Sequence, residues 1–453
     1  MATSASSLIR DRAKAGQNSS PLDRTLNLSL AEGSLTQAFL NWTTGGVFTG
    51  YMLHLGASPA ELALVASVPL LAQASSPFAA WLTALLGRRK AFTVATAALG
   101  RLLWLLAALL PQLGVPHALQ PTFLVALVLV SSLFQASSST LWATWMDEVV
   151  PAGQRGRYFG RRAGVVGLAG MVANLSAGWM LDRVASPLGF QVVLLAGVFC
   201  AALGVLLLMF HREPLCKPQK TSLKETLVLP WRDPNFRRFL VFALYWQGAV
   251  FIGAPFVFPY FISSLKLSFI DMALWSALAA TCALLTTSQW GRIADQVGNK
   301  GVLTIGTIMA GTLLPACWIL AGLTGNLGFI WLSAVFDALA WGAIGPALFN
   351  LALASAPKEN RLAFIAMYSL GTGLSGFLGG LLSGPLLELL SMLNLSFRGY
   401  VWTPYHSLFA LSGLLRAQAW LLLRPVQETN AWRTRHVLRE VRFGWRGSGF
   451  FWR

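Results

Sequence analysis

The chain has 453 residues, 55% of them hydrophobic and only 11% charged, with a mean hydropathy of +0.60, and a water-soluble surface cannot be assembled from that composition. Its formal net charge of +17 does not point to nucleic acid, because the cations are spread over short loops and a tail instead of forming a compact basic domain. An integral membrane protein is what remains.

Apolar windows of about 20 residues, the length that crosses a ~30 Å hydrocarbon core, predict an all-α protein of twelve transmembrane helices. They fall at 32–54, 60–86, 91–111, 121–147, 162–184, 188–211, 237–262, 268–292, 301–322, 325–353, 361–388 and 404–424. Residues 1–31 contain no apolar core before residue 28, so they are not a cleavable signal peptide and are expected to form a mobile tail. The segment 211–238, HREPLCKPQKTSLKETLVLPWRDPNFRR, gathers four prolines and much of the loop charge. Its centre, 212–236, reads as a linker between six-span units at 32–211 and 237–424, with room for a short helix on the membrane surface. Residues 425–453 read as a basic tail at the membrane surface.

Lys and Arg collect in the loops of the cytoplasmic side. With both termini on that side, only Arg183, Lys266 and Arg398 fall in loops of the other, while Arg101 and Arg416 lie inside predicted spans. The four cysteines, Cys200, Cys216, Cys282 and Cys317, have no metal-ligand spacing and support neither a disulfide framework nor a metal site.

The two units repeat one another. Ser58-Pro59-Ala60-Glu61 and Ser268-Phe269-Ile270-Asp271 are helix-start signals of the capping-box type, 210 residues apart. Gly87 and Arg89 pair with Gly298 and Lys300 at an offset of 211. An offset of 206 carries Pro151, Arg155, Gly167, Gly170, Gly178 and Asp182 onto Pro357, Arg361, Gly373, Gly376, Gly384 and Glu388. A parallel repeat of two like-oriented six-helix bundles is the expectation. The glycines suit close helix contacts where two bundles must rock.

GRIADQVGNK, residues 291–300, places one acid, two bases and two glycines between apolar runs. Gly298 permits the backbone angle of a tight turn, Gly291 permits close helix approach, and Asp295 can accept hydrogen bonds from the exposed N–H groups of a neighbouring helix start. The stretch resembles the G-x-x-x-D-x-x-G-x-[KR] signature of the major facilitator superfamily as Gly291, Asp295, Gly298 and Lys300, and the resemblance extends over roughly residues 30 to 425. It implies that Asp295 latches one half against the other in one conformation, with the start of the fifth span near Gly160, Arg161 and Arg162 as recipient. The first-half loop departs from the pattern: Ala80 and Ala84 stand where the glycine and the acid belong, and only Gly87 and Arg89 survive. DEVVPAGQRGRYFGRR resembles a second pattern of that family through Glu148, Pro151, Arg155 and Gly156. Pro151 ends the fourth helix there, and Arg155 can return to Asp147 or Glu148.

In such an architecture a central cavity lies near the bilayer midplane. Gln37 and Asn41 share a face of the first span, and Gln135, Asn174, Gln247 and Asn350 supply amides from four others. Trp142, Tyr245, Trp246, Trp341 and Tyr368 could add aromatic walls. Each amide has a structural reading as a hydrogen bond between helices, and each aromatic one as packing. Asp337 stands apart, about eleven residues or ~16 Å into the tenth span, where a carboxylate must face the bundle, take a proton or meet a cation. Trp341 follows one turn later. Arg101 and Arg416, in spans that are peripheral in that family, are expected to snorkel to the surface or to pair with an acid.

No GxxxxGK[ST] phosphate loop is present, and the five histidines at 54, 117, 211, 406 and 436 form no catalytic pattern. The sequence therefore points to a secondary transporter of a small organic solute, not to an enzyme, coupled to protons or another ion. A facilitative uniporter and a solute sensor on the same scaffold are the alternatives. The expected partners are the solute, protons and the bilayer of the plasma membrane; the expected state is a monomer without cofactor, metal or nucleic acid.

Overall fold

A computed structural model describes residues 21–73, 75, 78, 89–212, 223–357, 361–392, 396–397 and 400–428. Gly87, Ala80, Ala84 and the tails 1–20 and 429–453 lie outside the described residues. Nine helices among the described residues are long and apolar enough to cross a membrane, and Pro59–Gln73 is a shorter apolar helix. Apart from a pair of two-residue strands, Ser396–Phe397 and Tyr400–Val401, the regular structure is helical.

The helices are α1 Pro21–Thr43, α2 Gly45–His54, α3 Pro59–Gln73, α4 Arg89–Leu102, α5 Trp104–Ala108, α6 Gln120–Val149, α7 Arg155–Leu181 and α8 Leu188–Met209. After α9, Leu223–Arg232, come α10 Pro234–Gly253, α11 Val257–Ser263, α12 Phe269–Val297, α13 Asn299–Thr324, α14 Gly328–Ser355, α15 Arg361–Ser391, α16 Pro404–Gln418 and α17 Trp420–Leu423.

Several boundaries differ from the sequence expectation. The first helix starts at Pro21, so residues 21–31 are helix and not tail. The reason is visible in burial: Thr25, Ser29 and Glu32 are all at most 3% exposed, so tertiary packing holds a stretch too polar for a hydropathy window to include. Asp233 caps α10 by accepting hydrogen bonds from the N–H groups of Asn235 and Phe236 at 2.9 and 2.8 Å, which moves that start forward to Pro234.

Backbone features repeat at the offset read from the sequence. The first span breaks at Thr44–Gly45 and the seventh at Ala254–Phe256. Gly56, with φ 77°, corresponds to Lys266, with φ 54°. A lysine in the left-handed region is uncommon, so the turn before Ser268 imposes the same geometry as the turn before Ser58. Both capping boxes form: Ser58 N–H donates to Glu61 Oε2 at 2.9 Å, and Ser268 N–H to Asp271 Oδ2 at 3.2 Å.

Helices from the two sides of the linker meet along two antiparallel or end-to-end seams. On α15, Gly384 packs against Ala60, Gly380 against Ser67 and Gly376 against Leu70 of α3. Gly178 of α7 packs against Phe269 and Ile270 of α12. The α3–α15 seam therefore runs from the end bearing the Ser58 and Ser268 turns to Leu70 near the end of α3 and Gly376 in the middle of α15. At the other end, which bears the Gly298 turn, an added Cβ on Gly160, Gly164 or Gly291 would meet nothing within 4 Å. Among the described residues, glycines bring the two halves into contact at one end and make no such contact at the other.

Candidate functional site

A cavity of about 180 Å³ lies where α1, α2, α7, α11 and α12 converge. Asn41, Thr44, Gly46, Asn174, Phe258, Phe269, Met272 and Ser276 line it, with no ionisable side chain among its walls. Break and cavity are linked. Gly45, with φ 60°, turns the first span so that Gly46 faces Phe258 and Met272, and a side chain at Gly46 would press on both. Of the amides expected from sequence, Asn41 and Asn174 reach this cavity.

Gln37 and Gln135 are held in hydrogen bonds to neighbouring side chains. Gln37 Nε2 donates to Asn41 Oδ1 at 2.8 Å, and Asn41 Nδ2 donates to the Gly170 carbonyl at 2.7 Å, stitching α1 to α7. Gly170 is what lets the two helices approach, since a Cβ there would meet Gln37 Cγ at 2.8 Å. Gln135 Nε2 donates to Ser131 Oγ at 2.8 Å within α6. Gln247 packs beside Gly376, while Asn350 is exposed. Gly167 has open space around it and makes no close helix contact in this conformation.

The aromatics divide similarly. Tyr368 packs on Phe239 with ring centroids 5.7 Å apart, and Trp341 on Trp246 at 6.0 Å. Tyr245 is half-buried. Trp142 lies under Arg162, the guanidinium 4.1 Å from the ring centroid, an arrangement worth ~0.5–2 kcal/mol by burial.

The signature turn is built but unlatched. Gly298 takes φ 87°, whereas Asp295 is exposed and, among the described residues, has no hydrogen-bond or ion-pair partner. Lys300 serves a different purpose from orientation alone: its Nζ donates to the carbonyls of Arg424 and Val426 at 2.7 and 2.8 Å. Glu428 accepts from the N–H groups of Asn299 and Lys300, at 3.0 and 2.9 Å, and so caps the start of α13. In the second motif Arg155 pairs with Asp147 at 3.0 Å, and Glu148 pairs with Arg89 at 2.7 Å. Pro151 follows the end of α6, Gly156 is exposed with open space around it, and Arg361 is exposed at the start of α15.

Two buried charge clusters lie in the helix interiors. Glu32, 3% exposed, meets Arg101 at 3.3 Å and Arg162 at 3.7 Å, and accepts from Thr36 Oγ1 at 2.8 Å. In the second half Arg416, 2% exposed, donates from Nη2 to the Val250 carbonyl at 3.0 Å and has Asp337 as a charged neighbour without an ion pair to it. Neither arginine snorkels. Sequence reasoning passed over Glu32 and read Asp182 only as the repeat counterpart of Glu388; a signal for Glu32 was the acid in SLAEGSL one turn beyond Leu28, had Pro21 been taken as the helix start.

The family model described as Major Facilitator Superfamily matches residues 32–380 and 254–452. The chain belongs to the major facilitator superfamily. It is a member of a transporter family and not an enzyme, consistent with its apolar helices. A D-xylose–proton symporter is similar in fold, with a TM-score of 0.68 at 16% identity over 92% of this chain and 99% of that one. A nucleoside transporter, NupG in a variant form, gives 0.71 at 15% identity over 89% and 100%. A bacterial homolog of the human lysosomal transporter Spinster, inward-facing and unoccupied, gives 0.64 at 16% over 93% and 99%. At such identities the likeness is one of fold. Comparison with curated proteins by sequence gives no match.

Proposed function

We propose that this superfamily member is a monomeric secondary transporter that carries a small uncharged organic solute through the plasma membrane by alternating access, coupled to protons through Asp337. Its twelve spans form two six-helix bundles with both termini cytoplasmic, and the described conformation is the one open to the cytoplasm. The observation that carries the reading is the one-sided seam: Gly178, Gly380 and Gly384 seal one end against the other half, while Asp295 at the other end is free. A transporter stopped in one of two states has this shape.

The uncharged solute follows from the cavity walls, where amides, hydroxyls and aromatic rings stand without a charge to match an ionic group. The fold neighbours include a nucleoside transporter and a D-xylose–proton symporter, both carrying hydroxyl-rich solutes by name. Asp337 supplies the proton-responsive group because it is a carboxylate deep in a span. The test is flux into proteoliposomes over a panel of nucleosides, sugars and neutral metabolites, with and without an imposed pH gradient. Gradient-driven accumulation of one class is expected, lost in Asp337→Asn while gradient-free exchange survives. Undiminished proton coupling in that variant would remove Asp337 from the mechanism.

A further inference from the structure

On α7 the residues Gly170, Asn174 and Gly178 recur every four positions and so share one face. Gly170 lies against Gln37 and Asn41 of α1, and Gly178 against Phe269 and Ile270 of α12. Asn174, midway between the two contacts, lines the cavity of about 180 Å³ that lies between α1 and α12. Its neighbours on the stripe are spent on helix packing, whereas, among the described residues, no hydrogen bond reaches the Asn174 amide.

The other polar groups of the wall are already committed. Thr44 Oγ1 donates to the Leu40 carbonyl at 2.7 Å, and Ser276 Oγ to the Met272 carbonyl at 2.9 Å. A hydroxyl has a single hydrogen, so with that hydrogen spent both offer the cavity an acceptor only. Asn41 has its oxygen on Gln37 and one N–H on Gly170. Among these residues Asn174 alone keeps an unengaged carbonyl oxygen and an unengaged NH₂ side by side. Phe258 and Phe269 add apolar wall from the other half of the chain. The Phe269 ring is fixed there by Gly50, where it fills the space of the missing side chain.

A solute that matches this wall must donate to Thr44 and Ser276, and must both donate and accept at adjacent atoms on Asn174. Vicinal hydroxyls do so: one donates to Asn174 Oδ1 while its neighbour accepts from Nδ2, and further hydroxyls donate to Thr44 and Ser276. A lactam or nucleobase edge also pairs twice with an amide, but it spends its N–H there and brings carbonyls to hydroxyls that have no hydrogen to give. The volume lies below the ~300–1,000 Å³ of pockets for drug-sized ligands, which leaves room for one ring and not two.

We propose that this cavity takes a compact neutral polyol of a single ring, and that Asn174 is its specificity-determining residue, reading one pair of vicinal hydroxyls. This rests on the cavity as the solute site of the proposed transporter and names the class of solute it takes.

The test is calorimetric binding to the full chain in lipid nanodiscs, with two panels of neutral single-ring probes. One is polyhydroxylated: D-glucose, D-galactose, D-mannose, D-ribose, D-xylose and myo-inositol. The other has no hydroxyls: nicotinamide, uracil and δ-valerolactam. At least one polyol is expected to bind, and no member of the second panel. Removing either hydroxyl of one vicinal pair from that polyol should weaken binding about 10-fold or more. In Asn174→Leu the parent polyol should bind about 10- to 100-fold more weakly, and its preference over the deoxy analogues should collapse at that pair alone. A general disturbance of the cavity would weaken every probe and leave the preference standing. Because Asn174 holds no partner, the thermal midpoint of the variant should stay near wild type; if it falls, Asn174→Ala carries the same comparison. Binding confined to the second panel, binding from neither panel, or a preference that survives loss of the amide overturns the proposal. Gradient-driven flux of a hydroxyl-free neutral solute would sustain the transport reading and sink this one, and polyol binding without flux would do the reverse.

Discussion

The carboxylate of Asp182, at the end of α7, accepts hydrogen bonds from the backbone N–H groups of Phe269 and Ile270, both at 2.9 Å, and so caps the first turn of α12 from the other half of the chain. Ser268 already caps the same turn through Asp271 N–H, so the start of α12 is satisfied from both halves at once. The opposite seam has no equivalent. Glu388 corresponds to Asp182 in the repeat, but the counterpart of Phe269 is Pro59, which has no N–H to offer. The clamp on this end is one-sided.

Asp182→Ala should therefore weaken the described conformation by about 0.5–2 kcal/mol, the usual value of a lost helix cap. A shift of about 1.4 kcal/mol is tenfold in a conformational ratio. Alkylation of a cysteine placed at Ala273, 5% exposed one turn into α12 from the capped start, measures it: labelling should rise in Asp182→Ala and stay unchanged in Glu388→Gln. Equal responses from both variants would mean the cap has no part in closure.

The glycine seam predicts a graded series. A Cβ on Gly384 would lie 2.8 Å from Ala60 Cα, and one on Gly178 would lie 2.8 Å from the Phe269 carbonyl oxygen, so backbone itself would have to move. Gly384→Leu and Gly178→Leu should insert normally, fail to close this end and lose flux. Gly170→Leu and Gly376→Leu should lose flux too, since their neighbours are the side chains of Gln37, Leu70 and Gln247. Gly167→Ala, with nothing within 4 Å, is the control and should transport normally. Flux per inserted protein, measured across the series, checks the order.

The span pattern was legible in the sequence because hydrocarbon thickness fixes a length and apolar composition fills it; the repeat was legible because turn geometry demands the same residue types twice. Asp337 was conspicuous since carboxylates inside spans are rare. Arg416 was expected to snorkel or to pair with an acid, but that Asp337 is the acid nearby was not legible, because it depends on how α10, α14 and α16 cross. Glu32 was missed for a local reason: TLNLSLAEGSL is too polar for a hydropathy window, and only contact with Arg101 and Arg162 makes it interior. Gln37 and Gln135 illustrate the converse, amides that look like solute ligands and are spent on side chains one turn back or ahead in their own helices.

Glu32 carries the last prediction. It is the one acid between two arginines, with Arg101 9% exposed in its side chain and Arg162 19%. Removing one partner of a buried ion pair costs about 3–5 kcal/mol, because the other charge is left without compensation. Glu32→Gln strands two cations, so it should lower the unfolding midpoint of the detergent-solubilised protein more than Arg101→Met, which leaves Glu32 with Arg162. The pair Glu32→Gln/Arg101→Met should recover part of the loss, since Arg162 retains its stacking on Trp142 at 4.1 Å. Thermal unfolding of the three variants decides it: if Glu32→Gln is no less stable than Arg101→Met, the cluster is not held together by the carboxylate.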